Sequence, residues 1–160
     1  MQIDFRFSQE AELIARLNEP VQDLHYQLHP EYFKPFSFFD IREFLTKRFA
    51  EGNYYCLIAS VGRSDVGYAL FYINNYPENA FKKAYKGIHI DQICVLPEYK
   101  GRGIGKAIMD EIDSFAKKEN AYQIELTHWD SNEEAKQFYQ SLGFRTNLRF
   151  VVKKCEKIGF

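Results

Sequence analysis

Alternating apolar and polar positions predict a short first strand, and a helical spacing then replaces the alternation. The strand carries Ile3, Phe5 and Phe7 and ends at Ser8, a residue type that favours a helix N-cap. The apolar positions of the following helix recur every three or four residues: Leu13, Leu17, Val21, Leu24 and Leu28. Pro20 has no amide hydrogen, so we expect it to kink or break this helix near its middle.

A second helix and a β-hairpin are predicted between residues 40 and 74. Asp40 with Glu43 resembles a capping box that opens a helix running through Phe49. The hairpin strands are rich in β-branched and aromatic residues, and a turn at residues 62–65 separates them: Tyr54 to Ser60 and Val66 to Asn74. The polar connection at residues 74–87 is long enough to favour a functional or mobile role.

Strands and helices alternate in the second half of the chain. The predicted elements are a strand Ile88 to Val95, a helix Gly103 to Lys118, a strand Gln123 to Trp129, a helix Asn132 to Leu142 and a last strand through Leu148, Phe150 and Val152. Gly143 lies where a left-handed C-terminal cap belongs. The pattern predicts an α/β protein whose mixed sheet has helices on both faces and is parallel where the Gly103 helix crosses over.

Length, charge and hydropathy restrict the class of protein. The 160 residues are 46% apolar, enough for one core, so we predict a single domain over residues 1–160. The net charge of -1 argues against a nucleic-acid partner. We find neither a signal region nor an apolar run near the roughly 18 residues of a membrane span, which predicts a cytoplasmic protein without a membrane partner.

The cysteines do not form a recognisable site. Cys56, Cys94 and Cys155 are far apart and lack CxxC spacing or a nearby His cluster, so neither a disulfide framework nor a metal site is predicted. Their simplest interpretation is buried free thiols in a reducing compartment. Alternation places Cys94 on the strand face of Ile88 and Ile90, which favours an inert thiol over a nucleophile.

The segment Lys100-Gly101-Arg102-Gly103-Ile104-Gly105 carries the clearest chemical signal. It follows a strand and opens a helix, so its amide groups lie unpaired at the positive end of a helix dipole. Glycines let the backbone approach phosphate oxygens, and Lys100 and Arg102 add positive charge. The segment therefore predicts an anion site.

Two other phosphate-binding loops were compared with this segment. An NTPase loop is excluded because only three residues separate Gly101 from Gly105, and Lys106 is followed by Ala107. A dinucleotide-binding loop would require glycine at position 106. Glu125 lies about twenty residues downstream, where such a loop has its acidic residue, but it falls inside a predicted strand rather than at its end, so this alternative is weak and stays open.

The run from Val95 to Gly105 closely resembles the acetyl-CoA-binding motif of the GCN5-related N-acetyltransferase (GNAT) family, written Arg/Gln-x-x-Gly-x-Gly/Ala. Lys100 replaces the usual Arg or Gln, a position that acts mainly through its backbone amide in the family. A second family motif, a helix with a terminal Gly-Phe, is matched in order and spacing by Asn132, Ala135, Phe138, Tyr139, Leu142, Gly143 and Phe144. The resemblance implies a single-domain mixed sheet of about six to seven strands with helices on both faces.

The resemblance also implies the reaction, which is direct transfer of acetyl from acetyl-CoA to a primary amine in a ternary complex, without a metal. The pantetheine arm is expected along residues 93–95 and the start of the strand at Gln123. A backbone amide near Ile93 or Cys94 would polarise the thioester carbonyl. The implied cofactor-binding residues are Ile93, Cys94, Val95, Lys100, Gly101, Arg102, Gly103, Ile104, Gly105, Lys106 and Asn132.

Three residues match catalytic positions of the family. Tyr139 occupies the general-acid position, Asp91 aligns with an acidic residue of polyamine-type members, and His89 aligns with the base of histone-acetylating members. Alternation puts His89 and Asp91 on one strand face. The structural alternatives are a core aromatic for Tyr139, a solvated face for the strand residues and a simple helix cap for Asn132.

The acceptor is expected to be a small-molecule amine, because the charge is near neutral and an aromatic segment could close over the site. The expected substrate-binding residues are His29, Tyr32, Phe36 and Asp91. Family members are often homodimers, so a homodimer is allowed. The remaining alternatives are a catalytically silent acyl-CoA-binding sensor, a dinucleotide-binding protein and a protein N-terminal or lysine acetyltransferase.

Overall fold

A computed structural model describes residues 1–155, which fall into two compact units, Met1–Thr127 and a second unit that begins at His128. Residues 156–160 of the predicted domain lie outside the described part. The elements of the first unit are β1 (Asp4–Phe7), α1 (Ala11–Leu28), α2 (Phe38–Ala50), β2 (Tyr55–Val61), β3 (Ser64–Tyr76), β4 (Tyr85–Val95), a 3-10 turn (Pro97–Tyr99), α3 (Ile104–Lys118) and β5 (Gln123–Leu126). The second unit contains α4 (Glu133–Ser141).

The first unit is built on a mixed sheet with the strand order β1-β2-β3-β4-β5. The first three neighbouring pairs are antiparallel, and β4 pairs with β5 in parallel because α3 connects them as a crossover. The predicted α/β fold is confirmed. The described residues form five strands, fewer than the six to seven expected.

The helices cover both faces of this sheet, as predicted. On one face α3 contacts β2, β3, β4 and β5, and its Phe115 packs edge-on against Phe71 with ring centroids 5.1 Å apart. On the other face α1 contacts β3 and β4 and packs against α2. Ile14 and Leu17 of α1 join a buried cluster there with Tyr68 and Leu70 of β3. The sheet is thus enclosed between two apolar layers.

A β-bulge interrupts the pairing of β3 with β4. Leu70 pairs with Gln92, and the next residue, Phe71, pairs with Ile90, so Asp91 has no partner on β3. A bulge inserts one extra residue and reverses the alternation of every residue beyond it. Simple alternation counted from the start of β4 therefore assigns the residues beyond Asp91 to the wrong face of the sheet.

Cys94 lies on the face opposite to the one predicted. It pairs with Tyr68, belongs to the cluster under α1, and its thiol donates to the Leu17 carbonyl over 3.5 Å. The prediction that it shares the face of Ile88 and Ile90 is wrong, because the bulge intervenes. Burial raises the pKa of Cys94 to about 11, so the thiol stays protonated at neutral pH and is a poor nucleophile.

The helix starts also differ from the sequence prediction. The N-cap of α1 is Glu10, and Ser8 instead accepts a hydrogen bond from the Glu10 amide with its hydroxyl oxygen. The N-cap of α2 is Ser37, which accepts from the Asp40 amide, so Asp40 lies inside the helix. The expected kink or break near Pro20 does not interrupt α1, which runs continuously past it. Burial of its apolar face offsets the one lost hydrogen bond.

Several strands have different bounds from those predicted. β3 continues to Tyr76 and β4 begins at Tyr85, so the connection between them spans residues 77–84 and is shorter than predicted. β5 ends at Leu126 rather than at Trp129. The last predicted strand is not formed within the described residues: Leu148 and Phe150 are 87% and 93% exposed. Alternation alone cannot form a strand, because a strand needs a hydrogen-bonded neighbour.

Two of the three cysteines are buried as predicted, namely Cys56 and Cys94, whereas Cys155 is exposed. Across residues 1–155, no helix is long and apolar enough to cross a membrane. Over the same residues, no group of three or more His, Cys, Asp or Glu side chains could hold a metal ion.

Candidate active site

The loop between β4 and α3 presents a bare backbone. Gly101 and Gly103 have φ angles of +74° and +81°, in the left-handed region that favours glycine. A Cβ atom at either position would meet nothing within 4 Å, so the glycines are needed for conformation, and the space beside them is open. Gly103 is the N-cap of α3, which begins at Ile104.

The charges around this loop suit an anion. The first amide groups of α3 have no acceptor within the helix and lie at the positive end of its dipole, and its first turn carries no acidic residue. The guanidinium of Arg102 lies 5.2 Å from the ring centroid of Tyr99, and Lys106 pairs with Asp110 over 2.7 Å. The predicted loop residues therefore form one site that could hold a diphosphate.

β4 and β5 separate beside this loop. β5 pairs only with Gly87 to Ile90, and β4 continues to Val95 without a β5 partner among the described residues. The unpaired groups along residues 93–95 form an edge that an extended ligand could join. The pantetheine arm was also expected along the start of the strand at Gln123, and this prediction is wrong. Gln123 pairs with Gly87, and β4 and β5 separate only after Leu126.

His89 and Asp91 lie on the same face of the sheet, beside Tyr72. The imidazole of His89 stacks on Tyr72 with ring centroids 4.9 Å apart and an interplanar angle of 22°. The hydroxyl of Tyr54 donates to Asp91 Oδ2 over 2.5 Å, and the Tyr54 and Tyr72 rings are 6.5 Å apart. Burial, Asp91 and Glu125 each raise the pKa of Tyr72. The face is thus both acidic and aromatic.

Glu125 completes this face. Its Oε1 lies 3.6 Å from His89 Nδ1 and accepts from the Tyr76 hydroxyl, and its Oε2 accepts from Gln123 Nε2 over 2.7 Å. From the sequence, Glu125 is considered only as the downstream acidic residue of a dinucleotide-binding loop. Its role depends on the register of the parallel strands β4 and β5, which pairs Glu125 with His89.

Two tyrosines, Tyr54 and Tyr72, and an arginine were also missed. The guanidinium of Arg48 lies 4.3 Å from the ring centroid of Tyr54 and 5.7 Å from that of Tyr72. Burial and the hydrogen bond to Asp91 raise the pKa of Tyr54, which keeps its hydroxyl protonated. Tyr72 and Tyr76 are four residues apart on β3, a spacing that puts them on one face and that the sequence already contained.

Comparison with known proteins identifies the family. The profile of the acetyltransferase (GNAT) family matches residues 19–144. The chain belongs to this family. Over 100 residues it is 32% identical to a thialysine N-epsilon-acetyltransferase of Bos taurus, a match to 56% of this chain and 55% of that enzyme. Over 61 residues it is 36% identical to a glucosamine 6-phosphate N-acetyltransferase of Trypanosoma brucei brucei, a match to 38% of this chain and 40% of that enzyme.

The matches to these relatives span about half of their length. A solved structure covers the chain more fully. The tetramutant of the BH1408 protein from Bacillus halodurans superposes with a TM-score of 0.85 at 25% identity, over 97% of this chain and 100% of that one. The chain therefore shares the fold of that protein over nearly all of its length.

In this GNAT chain, Tyr139 is a buried residue of α4 in the second unit. Its ring lies 6.1 Å from His128 and 5.6 Å from Phe144, both in the same unit. Burial raises the pKa of Tyr139 to about 12, so its hydroxyl is protonated at neutral pH and can donate. Asn132 accepts from the Ala135 amide over 3.1 Å and is the N-cap of α4, and Gly143 has the predicted left-handed conformation.

Three of the four predicted substrate-binding residues, His29, Tyr32 and Phe36, lie in the connection between α1 and α2, and the fourth, Asp91, lies on β4. The rings of His29 and Tyr32 are 6.4 Å apart, and His29 Nδ1 lies 3.6 Å from Glu31 Oε1. Tyr32 is 51% exposed, and Phe36 is half-buried. Their assignment to the acceptor stays a prediction.

Proposed function

We propose that this GNAT chain transfers an acetyl group from acetyl-CoA to a primary amine of a small molecule. The observation that carries the proposal is the bare glycine loop at the N-terminus of α3, next to the unpaired edge of β4. Acetyl-CoA supplies an acetyl group activated as a thioester. The open space beside Gly101 and Gly103 fits a diphosphate bound by main-chain amides.

The binding roles follow the layout of the loop and the edge. The amides of residues 101–106 hold the diphosphate, with Lys100, Arg102 and Lys106 adding charge. The edge at residues 93–95 aligns the pantetheine arm, and an amide near Ile93 or Cys94 polarises the thioester carbonyl. Asn132 contributes to acetyl-CoA binding through its side-chain amide nitrogen, because its side-chain oxygen caps α4.

The acidic face prepares the amine for attack. An alkylamine has a pKa of about 10.4 in water and is protonated at neutral pH, so it must lose a proton first. Asp91 binds the ammonium group, and Asp91 or His89 takes that proton. The amine nitrogen then bonds to the acetyl carbon as the carbon–sulfur bond breaks, and Tyr139 gives its proton to the departing sulfur. The attacking nitrogen releases its second proton, which returns through solvent to the Tyr139 oxygen, so the products are the amide and the free thiol of coenzyme A.

The same face favours a small cationic acceptor. Asp91 and Glu125 supply negative charge, and Tyr54, Tyr72 and His89 supply aromatic surface for a cation. The two relatives are named for small amine substrates, which supports this class. His29, Tyr32 and Phe36 complete the proposed acceptor site. A single domain over residues 1–160 and a cytoplasmic location remain predictions from the sequence, and a homodimer remains only what the family resemblance allows.

Ligand-dependent stability and turnover test the proposal together. A ligand at 100 times its dissociation constant adds about 2.7 kcal/mol of stability, so acetyl-CoA should raise the melting temperature and NAD should not. A panel of small amines should then release free thiol from acetyl-CoA. Stabilisation without turnover would favour a silent acyl-CoA sensor, and turnover only with peptides would favour a protein acetyltransferase. A shift with NAD alone would contradict acetyl transfer.

A further inference from the structure

Glu125 contacts His89 in an arrangement that acetyl-CoA binding does not require. We propose that Glu125 is a positioning residue that holds the His89 imidazole with its proton on Nδ1, leaving Nε2 as the base for the acceptor amine. The inference rests on the proposed function and deepens it. It assigns the base to His89 and gives the neighbouring carboxylates separate roles.

Three neighbours hold the Glu125 carboxylate in place. The Tyr76 hydroxyl donates to Oε1, and Gln123 Nε2 donates to Oε2 over 2.7 Å. Gly87 lies against the carboxylate, since a Cβ atom there would be 3.1 Å from its carbon and from Oε1. The side chain is 16% exposed. A carboxylate so satisfied and enclosed suits a fixed supporting role better than binding a mobile substrate.

The imidazole of His89 is oriented from two sides. Tyr72 stacks on its plane, and Glu125 Oε1 lies 3.6 Å from Nδ1. This distance is longer than a direct hydrogen bond, but it is short enough for the charge of the carboxylate to act on the imidazole. A carboxylate attracts an N–H group and repels a nitrogen lone pair, so the proton is favoured on Nδ1. Within residues 1–155, Nε2 has no hydrogen-bond partner, and the side chain is 20% exposed.

Asp91 differs from Glu125 in what surrounds it. It is exposed and accepts a hydrogen bond from Tyr54 alone among the described residues. Residues two apart on a strand are about 7 Å apart, so Asp91 is near enough to bind an ammonium group whose proton His89 takes. Around His89, β3 contributes Tyr72 and Tyr76, β5 contributes Glu125, and α2 contributes Arg48 over the Tyr72 ring.

The proton transfer is balanced within this cluster. The ammonium group gives one proton to His89 Nε2 and keeps the electron pair with which it attacks. The imidazolium that forms carries N–H groups on both nitrogens, and the negative charge of Glu125 compensates the new positive charge. The proton then passes to solvent, because the imidazole is partly exposed.

Nitrogen-15 NMR of the histidine side chains tests the tautomer without any turnover. The chain has four histidines, so the His89 signal can be assigned from its loss in His89→Gln. The neutral wild-type imidazole should carry its proton on Nδ1, and Glu125→Gln should give a mixture of tautomers. Glu43→Gln is the matched control, because Glu43 is exposed and forms an ion pair only with Lys47 among residues 1–155. A wild-type proton on Nε2, or an unchanged spectrum in Glu125→Gln, would overturn the inference.

Kinetics provide a second readout. Glu125→Gln should lower kcat about 10-fold while the KM for acetyl-CoA changes less than about twofold, because general-base catalysis contributes roughly 100-fold or more and only part of it is lost. Should Glu125→Gln fail to fold, Tyr76→Phe removes one of its hydrogen bonds and should change the tautomer ratio in the same direction. A chain that shows the Nδ1 tautomer but no acetyl transfer contradicts the proposed function and not the positioning of His89.

Discussion

The hydroxyl of Tyr54 donates a hydrogen bond over 2.5 Å to Asp91 Oδ2, a residue 37 positions further along the chain. Tyr54 is 2% exposed and belongs to the apolar core under α1 and α2, whereas Asp91 is exposed at the β-bulge of β4. The bond therefore links a fixed core residue to a carboxylate at the sheet surface. Because burial and this bond raise the pKa of Tyr54, the donor persists at neutral and moderately alkaline pH.

Removing this hydrogen bond should weaken amine binding. Tyr54→Phe leaves Asp91 charged but free to rotate, and a hydrogen bond to a charged group is worth about 1.5 to 3 kcal/mol. We expect the KM for the amine to rise about 5-fold or more, with an unchanged KM for acetyl-CoA. Tyr122→Phe is the matched control, since Tyr122 is 79% exposed. Equal effects on both KM values would contradict a role confined to the amine side.

Gly103 should be needed for acetyl-CoA binding as well as for stability. Gly103→Val forces a β-branched residue into φ near +81°, which distorts the loop although the space around it is open. We expect the KM for acetyl-CoA to rise about 10-fold or more. Gly62→Val imposes similar strain at φ +60° in the β2–β3 turn and controls for stability. Identical acetyl-CoA affinities in the two variants would remove the loop from the binding site.

The strands and helices could be predicted where residues close together in the sequence determine the structure. The glycine loop, α3 and the Asn132 and Gly143 caps of α4 follow from residues close together in sequence, and they were predicted correctly. The bulge at Asp91 was not, because it depends on pairing between β3 and β4. That single register change accounts for the wrong face assigned to Cys94.

Two of the missed site residues, Glu125 and Tyr54, share one cause. Glu125 reaches His89 through parallel pairing of β4 with β5, and Tyr54 reaches Asp91 across the sheet. Neither relationship has a local sequence signature. The strand predicted through Leu148 failed for a related reason, since alternation cannot specify a partner.

Tyr139 should act in turnover and not in binding. Tyr139→Phe removes only the hydroxyl, whose raised pKa of about 12 keeps it protonated as a donor. We expect kcat to fall about 10-fold or more, while the melting-temperature shift caused by acetyl-CoA stays as in the wild type. Phe138→Leu controls for packing in α4. Unchanged turnover would leave Tyr139 with a purely structural role.

Asp65 should make stability depend on pH in the acid range. Arg6 donates hydrogen bonds to both carboxylate oxygens over 2.6 and 2.9 Å, and these bonds lower the pKa of Asp65 in the folded state. The stabilisation is therefore present above the unfolded pKa of about 3.9 and is lost as pH falls through the lower folded value. Urea unfolding should find Asp65→Asn less stable than wild type at neutral pH, with the difference disappearing in this acid range. A constant difference would indicate lost packing.

Gly87 offers a way to move Glu125 without replacing it. A Cβ atom at position 87 would lie 3.1 Å from the Glu125 carboxyl carbon, closer than ordinary contact, so Gly87→Ala must displace a carboxylate held by Tyr76 and Gln123. We expect kcat to fall about 3-fold, with little change in the KM for acetyl-CoA.

The decisive comparison for Gly87→Ala is a double-mutant cycle with Glu125→Gln. If the alanine acts by displacing the carboxylate, it should cost much less once the carboxylate is gone, since effects on one interacting pair are not additive. Additive losses in kcat would mean that Gly87→Ala acts on the β4 backbone instead. His89 NMR spectra of the same variants then report whether the tautomer ratio follows kcat, as it must if Glu125 works through His89.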